Sequence, residues 1–182
     1  MKDLSLHILD IAQNSISAKA GTIEVEITEN VKSDLYSIVI KDDGIGMTPE
    51  FAAKATDPYV TSRTTRKVGL GLPLLKQNAE RTGGSLKIES EVGIGTKVTT
   101  SFSLSNFDRP PLGDIAGTIV LLAAANLKTR LIYRHITEIS TFIFDTNEIN
   151  EMLDGMPLSD PGIIRFLKEM INENLHEIKI AG

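Results

Sequence analysis

Hydrophobic positions along the first hundred residues follow two different periods. Apolar side chains recur at helical spacing from Leu4 to Ala18, and Gly21 then ends the segment. From Ile23 to Ile27 every second residue is apolar instead, as in a strand that buries one face. Continued in this way, the pattern predicts helices over 4–18 and 70–81 and strands over 22–29, 36–41, 85–90 and 97–104. Together these elements predict an α+β fold.

A proline pair divides the chain. Arg109-Pro110-Pro111 interrupts regular pairing and stiffens the backbone, so we place a boundary after residue 107. Beyond it the pattern predicts helices over 114–127 and 147–153, a hairpin of strands over 130–136 and 140–144, and a last helix that opens at Asp160-Pro161. The apolar stripe of that helix, which we expect to be core, is Ile163, Leu167, Met170, Ile171 and Leu175. The second segment is expected either to extend the sheet or to form a small docking module.

Composition narrows the class of protein. The net charge of −5 over 182 residues gives no reason to expect binding to nucleic acid or to an anionic membrane. The chain has no cysteine, which excludes disulfides, thiolate metal sites and a cysteine nucleophile. The N-terminal residues lack the apolar run of a signal peptide, and the most apolar stretch, 115–125, is about half the length of a membrane span. We therefore expect a cytoplasmic protein without a membrane partner.

Two polar residues share a face of the first predicted helix. Asp10 and Asn14 are one helical turn apart, so a carboxylate and an amide oxygen can point into the same pocket. Magnesium keeps water and phosphate among its ligands, and one amide oxygen from the protein is enough to hold it. A carboxylate one turn away can polarise water or a hydroxyl for attack on a phosphate. On spacing alone, a solvated polar pair is the commoner explanation.

Three glycine-containing segments follow. Residues 42–47 (Asp-Asp-Gly-Ile-Gly-Met) end a predicted strand, where glycines let the backbone approach a planar base and a carboxylate can accept from an exocyclic amine. Residues 69–72 (Gly-Leu-Gly-Leu) open a helix whose N–H groups can bind phosphate, and the basic polar loop 57–67 precedes them. Residues 93–96 (Gly-Ile-Gly-Thr) form a hairpin turn. Taken singly, each segment is compatible with an ordinary turn or helix start, and none matches a P-loop or a Rossmann fingerprint.

Taken in order, the four segments resemble the N box and glycine boxes of the gyrase, histidine-kinase and MutL ATPases, the GHKL or Bergerat-fold superfamily. Residues 10–18 (Asp-Ile-Ala-Gln-Asn-Ser-Ile-Ser-Ala) are similar to the MutL N box, and residues 57–62 (Asp-Pro-Tyr-Val-Thr-Ser) to the short lid of histidine kinases. The resemblance covers about residues 5–104. It implies a two-layer α/β sandwich with a mixed, mostly antiparallel sheet covered on one face by helices. Residues 1–107 would be a histidine kinase-like ATP-binding domain, and residues 108–182 a small C-terminal α/β extension of unknown role.

The resemblance also implies roles for individual residues. Asn14 would bind the magnesium ion, Asp42 would accept a hydrogen bond from the adenine amine, and Thr96 would support the base. Asp10 stands where gyrase and MutL carry a glutamate base, which makes it the candidate catalytic residue. Other nucleotide contacts are expected from Gly44 and Gly46 at the base and from Thr61, Ser62, Arg63, Gly69, Leu70, Gly71 and Leu72 at the phosphates.

Three uses of bound ATP and magnesium stay open. The short lid favours a protein kinase that acts on a separate protein, like the anti-sigma serine kinases or a split histidine kinase. A histidine kinase normally carries a phospho-accepting helical hairpin before the N box, and we expect none here because only six residues precede His7. The acidic residue at position 10 favours instead an ATP hydrolase or a nucleotide-gated dimer of the MutL or gyrase type. A non-catalytic ATP-binding regulator is the third alternative. We expect a protein partner or substrate, keep a homodimer as an option, and interpret His7 as a partly exposed or capping side chain.

Overall fold

The first element of the fold is a helix with one buried side. The computed structural model describes residues 2–57, 59 and 71–179. Helix α1 (Leu4–Ser17) begins after Asp3, whose side chain caps it by accepting from the backbone N–H of Leu6. It ends where Lys19 takes a positive φ of 60°. Its buried side chains are Leu4, Ser5, His7, Ile8, Ile11, Ala12 and Ser15. The predicted first helix is therefore confirmed.

Two antiparallel hairpins build the first part of the sheet. Strands β1 (Thr22–Asn30) and β2 (Leu35–Asp42) form one hairpin, as their alternating apolar residues predicted. Strands β3 (Ser85–Glu91) and β4 (Gly95–Ser103) form the other, and β4 lies beside β2. The antiparallel pairing of these four strands agrees with the fold that the sequence implied.

The second segment adds two strands to the same sheet. Strand β5 (Arg130–Ile136) runs parallel to β1, and β6 (Thr141–Asp145) returns antiparallel to β5 as a hairpin. The strand order is β3-β4-β2-β1-β5-β6. This segment was expected either to extend the sheet or to form a small docking module, and its hairpin extends the sheet. The result is a mixed, mostly antiparallel sheet.

One face of the sheet carries the core. On β1, Ile23, Val25 and Ile27 are buried, whereas the intervening Glu24 and Glu26 are half-exposed. Strand β2 repeats this alternation, and Val98 and Phe102 of β4 lie on the buried side. This alternation gives the sheet one buried face and one solvent-exposed face, as expected where helices cover a single face.

Helices from both segments pack beside α1. Helix α3 (Gly71–Arg81) contacts α1, β3 and β4, and α4 (Ile115–Ala125) packs between α1 and α6 (Pro161–Ile178). The linker also holds α1, because Leu4 and Ser5 donate their backbone N–H groups to the carbonyls of residues 111 and 112 over 2.9 and 2.8 Å. None of the helices in the described part of the chain combines the length and hydropathy that a membrane span requires.

Two short helices complete the chain, and one of them was not predicted. Helix α5 (Thr146–Leu153) follows β6 directly, as its pattern indicated. Helix α2 (Pro49–Lys54) lies where glycine and proline predicted only a break. Its local signals are an N-cap at Thr48, which accepts from the N–H of Phe51, and a proline at the first helical position. Proline here starts a helix, because its missing N–H would have no helical partner at that position.

Candidate functional site

The carboxylate of Asp42 is fixed at the end of β2. It is 9% exposed, and both of its oxygens accept hydrogen bonds from this chain. The hydroxyl of Ser15 on α1 donates to Oδ2 over 2.5 Å, and the N–H of Gly44 donates to Oδ1 over 2.9 Å. A carboxylate oxygen can accept more than one hydrogen bond, so Asp42 keeps acceptor capacity for a ligand. Its orientation is set by the helix beside it.

The loop after Asp42 is clamped to the β3–β4 hairpin. Gly46 has φ +70°, and a Cβ there would lie 1.9 Å from the carbonyl oxygen of Glu91. The N–H of Gly93 donates to the carbonyl of Ile45 over 2.8 Å. Glycine is thus required at position 46 by the approach of the hairpin backbone, whatever room it also leaves for a ligand. Two of the glycine-containing segments singled out in the sequence are therefore neighbours in space.

Thr96 lies directly opposite Asp42. The two residues are register partners between β4 and β2, and Thr96 is half-buried. Its hydroxyl lies 2.8 Å from that of Ser90, which also accepts from the N–H of Met47 over 2.8 Å. These hydrogen bonds thus connect the ends of β3 and β4 with the loop that follows Asp42. This arrangement brings together Thr96 and Asp42, both predicted to face the base.

A second contact joins α1 to the start of α3. A Cβ on Gly71, the first residue of α3, would lie 1.8 Å from Oδ2 of Asp10. Only a residue without a side chain therefore fits against the carboxylate as it stands. Leu72, the next residue, packs against the hydrophobic core and anchors the turn. The candidate catalytic carboxylate is thus placed at a helix N-terminus, where backbone N–H groups attract negative charge.

Helix α1 contributes to both ends of the site. Ser15 reaches Asp42 at one end, and Asp10 meets Gly71 at the other. Asn14, exposed to solvent, lies between these residues in the sequence of the helix. The other predicted contacts, Thr61, Ser62, Arg63, Gly69 and Leu70, fall outside the described residues, as does most of the expected lid over 57–67.

Two side chains near the site differ from expectation or were missed. His7 was interpreted as partly exposed or capping, which is wrong, because it is only 1% exposed. Its Nε2 lies 3.4 Å from Nδ2 of Asn78 on α3, and burial lowers the pKa of the imidazole. Ser15 belongs to the first motif but was given no role, since one serine on the buried side of a helix gives no spacing signal. Its partner is 27 residues away.

Known proteins similar to this chain fall into two groups. In the first are sensor kinases: a putative sensor histidine kinase NtrY-like of Rickettsia conorii is 31% identical over 108 residues, which cover 59% of this chain and 18% of that kinase. The histidine protein kinase DivJ of Caulobacter vibrioides is 30% identical over 96 residues, 50% of this chain and 16% of that protein. The chain thus matches less than a fifth of the length of these kinases.

In the second group are solved structures. The MutL ATPase domain of Aquifex aeolicus, complexed with ADP, superposes with a TM-score of 0.52 at 17% identity over 85% of this chain and 68% of that one. At this identity the likeness concerns the fold alone. Residues 2–106, which hold all four segments of the candidate site, match the family described as histidine kinase-, DNA gyrase B- and HSP90-like ATPase. Because this match spans more than half of the chain, the protein belongs to that family.

Proposed function

We propose that this protein binds ATP together with magnesium and transfers the γ-phosphate to a separate protein. The observation that carries the proposal is the pinned carboxylate of Asp42, held by Ser15 and Gly44 at the end of a strand. Family membership supports nucleotide binding, and the similarity to sensor histidine kinases supports a role in signalling. In this proposal residues 1–107 form the ATP-binding part and residues 108–182 an extension.

At the base end, Asp42 would accept a hydrogen bond from the exocyclic amine of adenine. Its bonds with Ser15 and Gly44 fix the carboxylate plane before the ligand arrives, which reduces the entropy lost on binding. Thr96, opposite Asp42, would support the base through its hydroxyl, and Gly44 and Gly46 would let the backbone approach it. Guanine carries a carbonyl in place of this amine, so the same carboxylate would repel it and favour adenine.

At the phosphate end, the first turn of α3 would meet the triphosphate. The N–H groups of Gly71 and Leu72 belong to a helix N-terminus, which favours anions. Thr61, Ser62, Arg63, Gly69 and Leu70 are proposed as further contacts on sequence grounds alone. Magnesium would be held by the amide oxygen of Asn14 and would offset phosphate charge. Phosphates and water would supply its other ligands, since magnesium usually keeps both.

Asp10 is the residue that we propose acts on the attacking group. Its carboxylate, placed against Gly71, would take the proton from the acceptor group of the partner protein. The acceptor then forms a bond to the γ-phosphorus, the bond between that phosphorus and the β–γ bridging oxygen breaks, and ADP leaves. If water occupies the acceptor position, the same arrangement hydrolyses ATP. This second candidate function is favoured by the same contact between Asp10 and Gly71.

The test separates binding from chemistry. Phosphate release and transfer from γ-labelled ATP are measured for the wild type, Asp10→Asn and Glu89→Gln, alone and with candidate partner proteins. Glu89 is the control, since it is an exposed carboxylate that forms an ion pair with Lys87 on β3. We expect Asp10→Asn to keep ATP affinity and to lose about two to four decades in rate, while Glu89→Gln matches the wild type. Tight binding by the wild type with neither hydrolysis nor transfer would leave a non-catalytic regulator as the function.

A further inference from the structure

The two edges of the sheet are protected to different degrees. The β3 edge carries Lys87 and Glu89 as an exposed ion pair, and charged side chains of this kind discourage pairing with another strand. The β6 edge, residues 141–145, has the sequence Thr-Phe-Ile-Phe-Asp, with neither lysine nor proline. Its central residue, Ile143, is 52% exposed. Strand β6 thus lacks the lysine or proline that often protects an edge.

Some of the backbone polar groups of β6 point away from the sheet. The N–H of Thr137 donates to the carbonyl of Ser140 over 3.0 Å where the β5–β6 hairpin closes. Bonded and non-bonded pairs alternate along antiparallel strands, so the pairs of Phe142 with His135 and of Phe144 with Tyr133 are the bonded ones. Ile143 occupies the non-bonded position between them. Its N–H and C=O therefore face outward, and within the described residues they meet no partner strand.

The outward edge of β6 is complementary to itself. With a two-fold axis through Ile143, an antiparallel second copy places Ile143 opposite Ile143, where each donates to and accepts from the other. Phe142 then lies opposite Phe144, and the pairing ends there because Asp145 is buried and caps helix α5. The charge of Asp145 is already offset, because Arg130 holds both of its carboxylate oxygens. No like charges therefore meet across the axis, and two exposed isoleucine side chains cover each other.

We propose that β6 pairs antiparallel with β6 of a second copy of this chain, which joins two sheets into one. The interface is isologous, as expected for a two-fold dimer. It lies on the far side of β1 and β5 from the strand that carries Asp42, so both candidate nucleotide sites stay accessible. A partner peptide that adds a strand to the same edge is the alternative occupant, and it predicts a monomer in the purified protein.

Sedimentation velocity of the full chain over a range of concentrations tests the pairing. We expect the wild type to approach twice its chain mass of 19.8 kDa as concentration rises. Ile143→Lys places two like charges opposite each other and should remain monomeric under the same conditions. Leu121→Lys is the matched control, because Leu121 is 55% exposed on α4, and it should dimerise as the wild type does. Circular dichroism confirms that both variants are folded.

Cross-linking gives a second measurement that does not depend on a destabilising charge. Because the chain contains no cysteine, Ile143→Cys carries a single thiol at the proposed axis. A short bis-maleimide should convert this variant to a covalent dimer rapidly, and Leu121→Cys at least tenfold more slowly. A wild type that stays monomeric at every concentration, or a dimer that both lysine variants keep, would overturn the proposal. Equal cross-linking of the two cysteine variants would overturn it as well.

Discussion

Ser15 on α1 and Asp42 on β2 are joined by a hydrogen bond in which the serine hydroxyl donates to Oδ2 of the carboxylate. Both side chains are buried, so loss of the bond would leave the carboxylate without this donor. The bond connects the helix that carries Asp10 and Asn14 with the strand end that would read adenine. Ser15 is therefore a positioning residue for the base, although it is not expected to touch the nucleotide.

Ser15→Ala should weaken ATP binding about three- to tenfold, because a typical hydrogen bond contributes about 0.5–1.5 kcal/mol. Asp42→Asn should weaken it more, roughly tenfold to a hundredfold, since it turns the acceptor for adenine into an amide that can present a donor. Ser17→Ala is the control: Ser17 is exposed and donates only to the carbonyl of Gln13 on its own helix. Calorimetric titration with ATP measures all three. Unchanged ATP affinity in Asp42→Asn would contradict the proposed contact of Asp42 with adenine.

Asn14→Ala should lower ATP affinity only when magnesium is present, because the proposed role of the amide is to hold the ion. Gln13→Ala, at the exposed neighbouring position on α1, is the control and should change neither affinity. Titrations in magnesium and in EDTA provide the comparison. Equal losses in the two buffers would show that Asn14 acts on the structure of the helix instead of on the metal.

The hairpins were accessible to sequence analysis because their signals are local. Strand β5 was predicted over 130–136 and observed as Arg130–Ile136, and the first hairpin was placed within one or two residues. The parallel pairing of β5 with β1 was not predicted. The two strands are more than one hundred residues apart, and alternation does not specify which strands pair. The contact of Ser15 with Asp42 escaped for the same reason: it depends on how α1 is placed over β2, which no single-residue pattern encodes.

The resemblance to a family supplied what periodicity could not. Alternation and helical spacing gave an α+β chain, whereas the order of the four segments gave the two-layer arrangement. The structure adds a second reason for one glycine. Gly46 was assigned to make room for the base, which stays a prediction, and a Cβ at this position would also lie 1.9 Å from the carbonyl oxygen of Glu91 in the adjacent hairpin. Such backbone contacts become visible only in three dimensions.

Gly71→Ala should affect chemistry more than binding. The added Cβ would lie 1.8 Å from Oδ2 of Asp10, so the carboxylate must rotate away from the first turn of α3. Alanine favours helix over glycine, so the fold itself should not suffer. We expect ATP affinity within about threefold of wild type, and turnover reduced by about tenfold or more, since proton transfer depends on position. Gly21→Ala, where the nearest atom to the added Cβ is 3.7 Å away, should leave turnover unchanged.

The free energy of unfolding should decrease at acidic pH, where His7 becomes protonated. Burial lowers its pKa below the ordinary value of 6.5, although the backbone of Gly71 and the carboxylates of Asp10 and Asp3 oppose the shift. The unfolded chain therefore binds more protons than the folded one below about pH 6.5, and the free energy of unfolding decreases as pH falls through that region. In His7→Gln this decrease between pH 7 and 5.5 should be smaller. Identical thermal profiles for the two proteins over this range would contradict the assignment.

Three hydrogen-bonded side chains join β1 to β5: the buried Tyr133 and His135, and the half-buried Glu29. Here the group whose pKa shifts is a carboxylate instead of an imidazole. Nε2 of His135 lies 2.7 Å from Oε1 of Glu29, and Nδ1 lies 2.7 Å from the hydroxyl of Tyr133. A carboxylate only accepts, so Nε2 carries a proton and, in the neutral ring, Nδ1 accepts from the tyrosine. The bond from His135 is the main cause that lowers the pKa of Glu29.

Because the folded state has the lower pKa, ionised Glu29 stabilises the fold above its unfolded value near 4.5, and this contribution is lost as pH falls through the folded pKa. Glu29→Gln keeps an acceptor but loses the charge, so we expect it to cost about 1 kcal/mol at pH 7, the difference between charged and neutral hydrogen bonds. As pH falls from 7 towards 3, the difference in stability between the two proteins should become smaller. Glu26→Gln, on the opposite face of β1, is the control. Urea unfolding at both pH values measures the difference, and a loss that is as large at pH 3 as at pH 7 would show that packing, and not charge, is what Glu29 contributes.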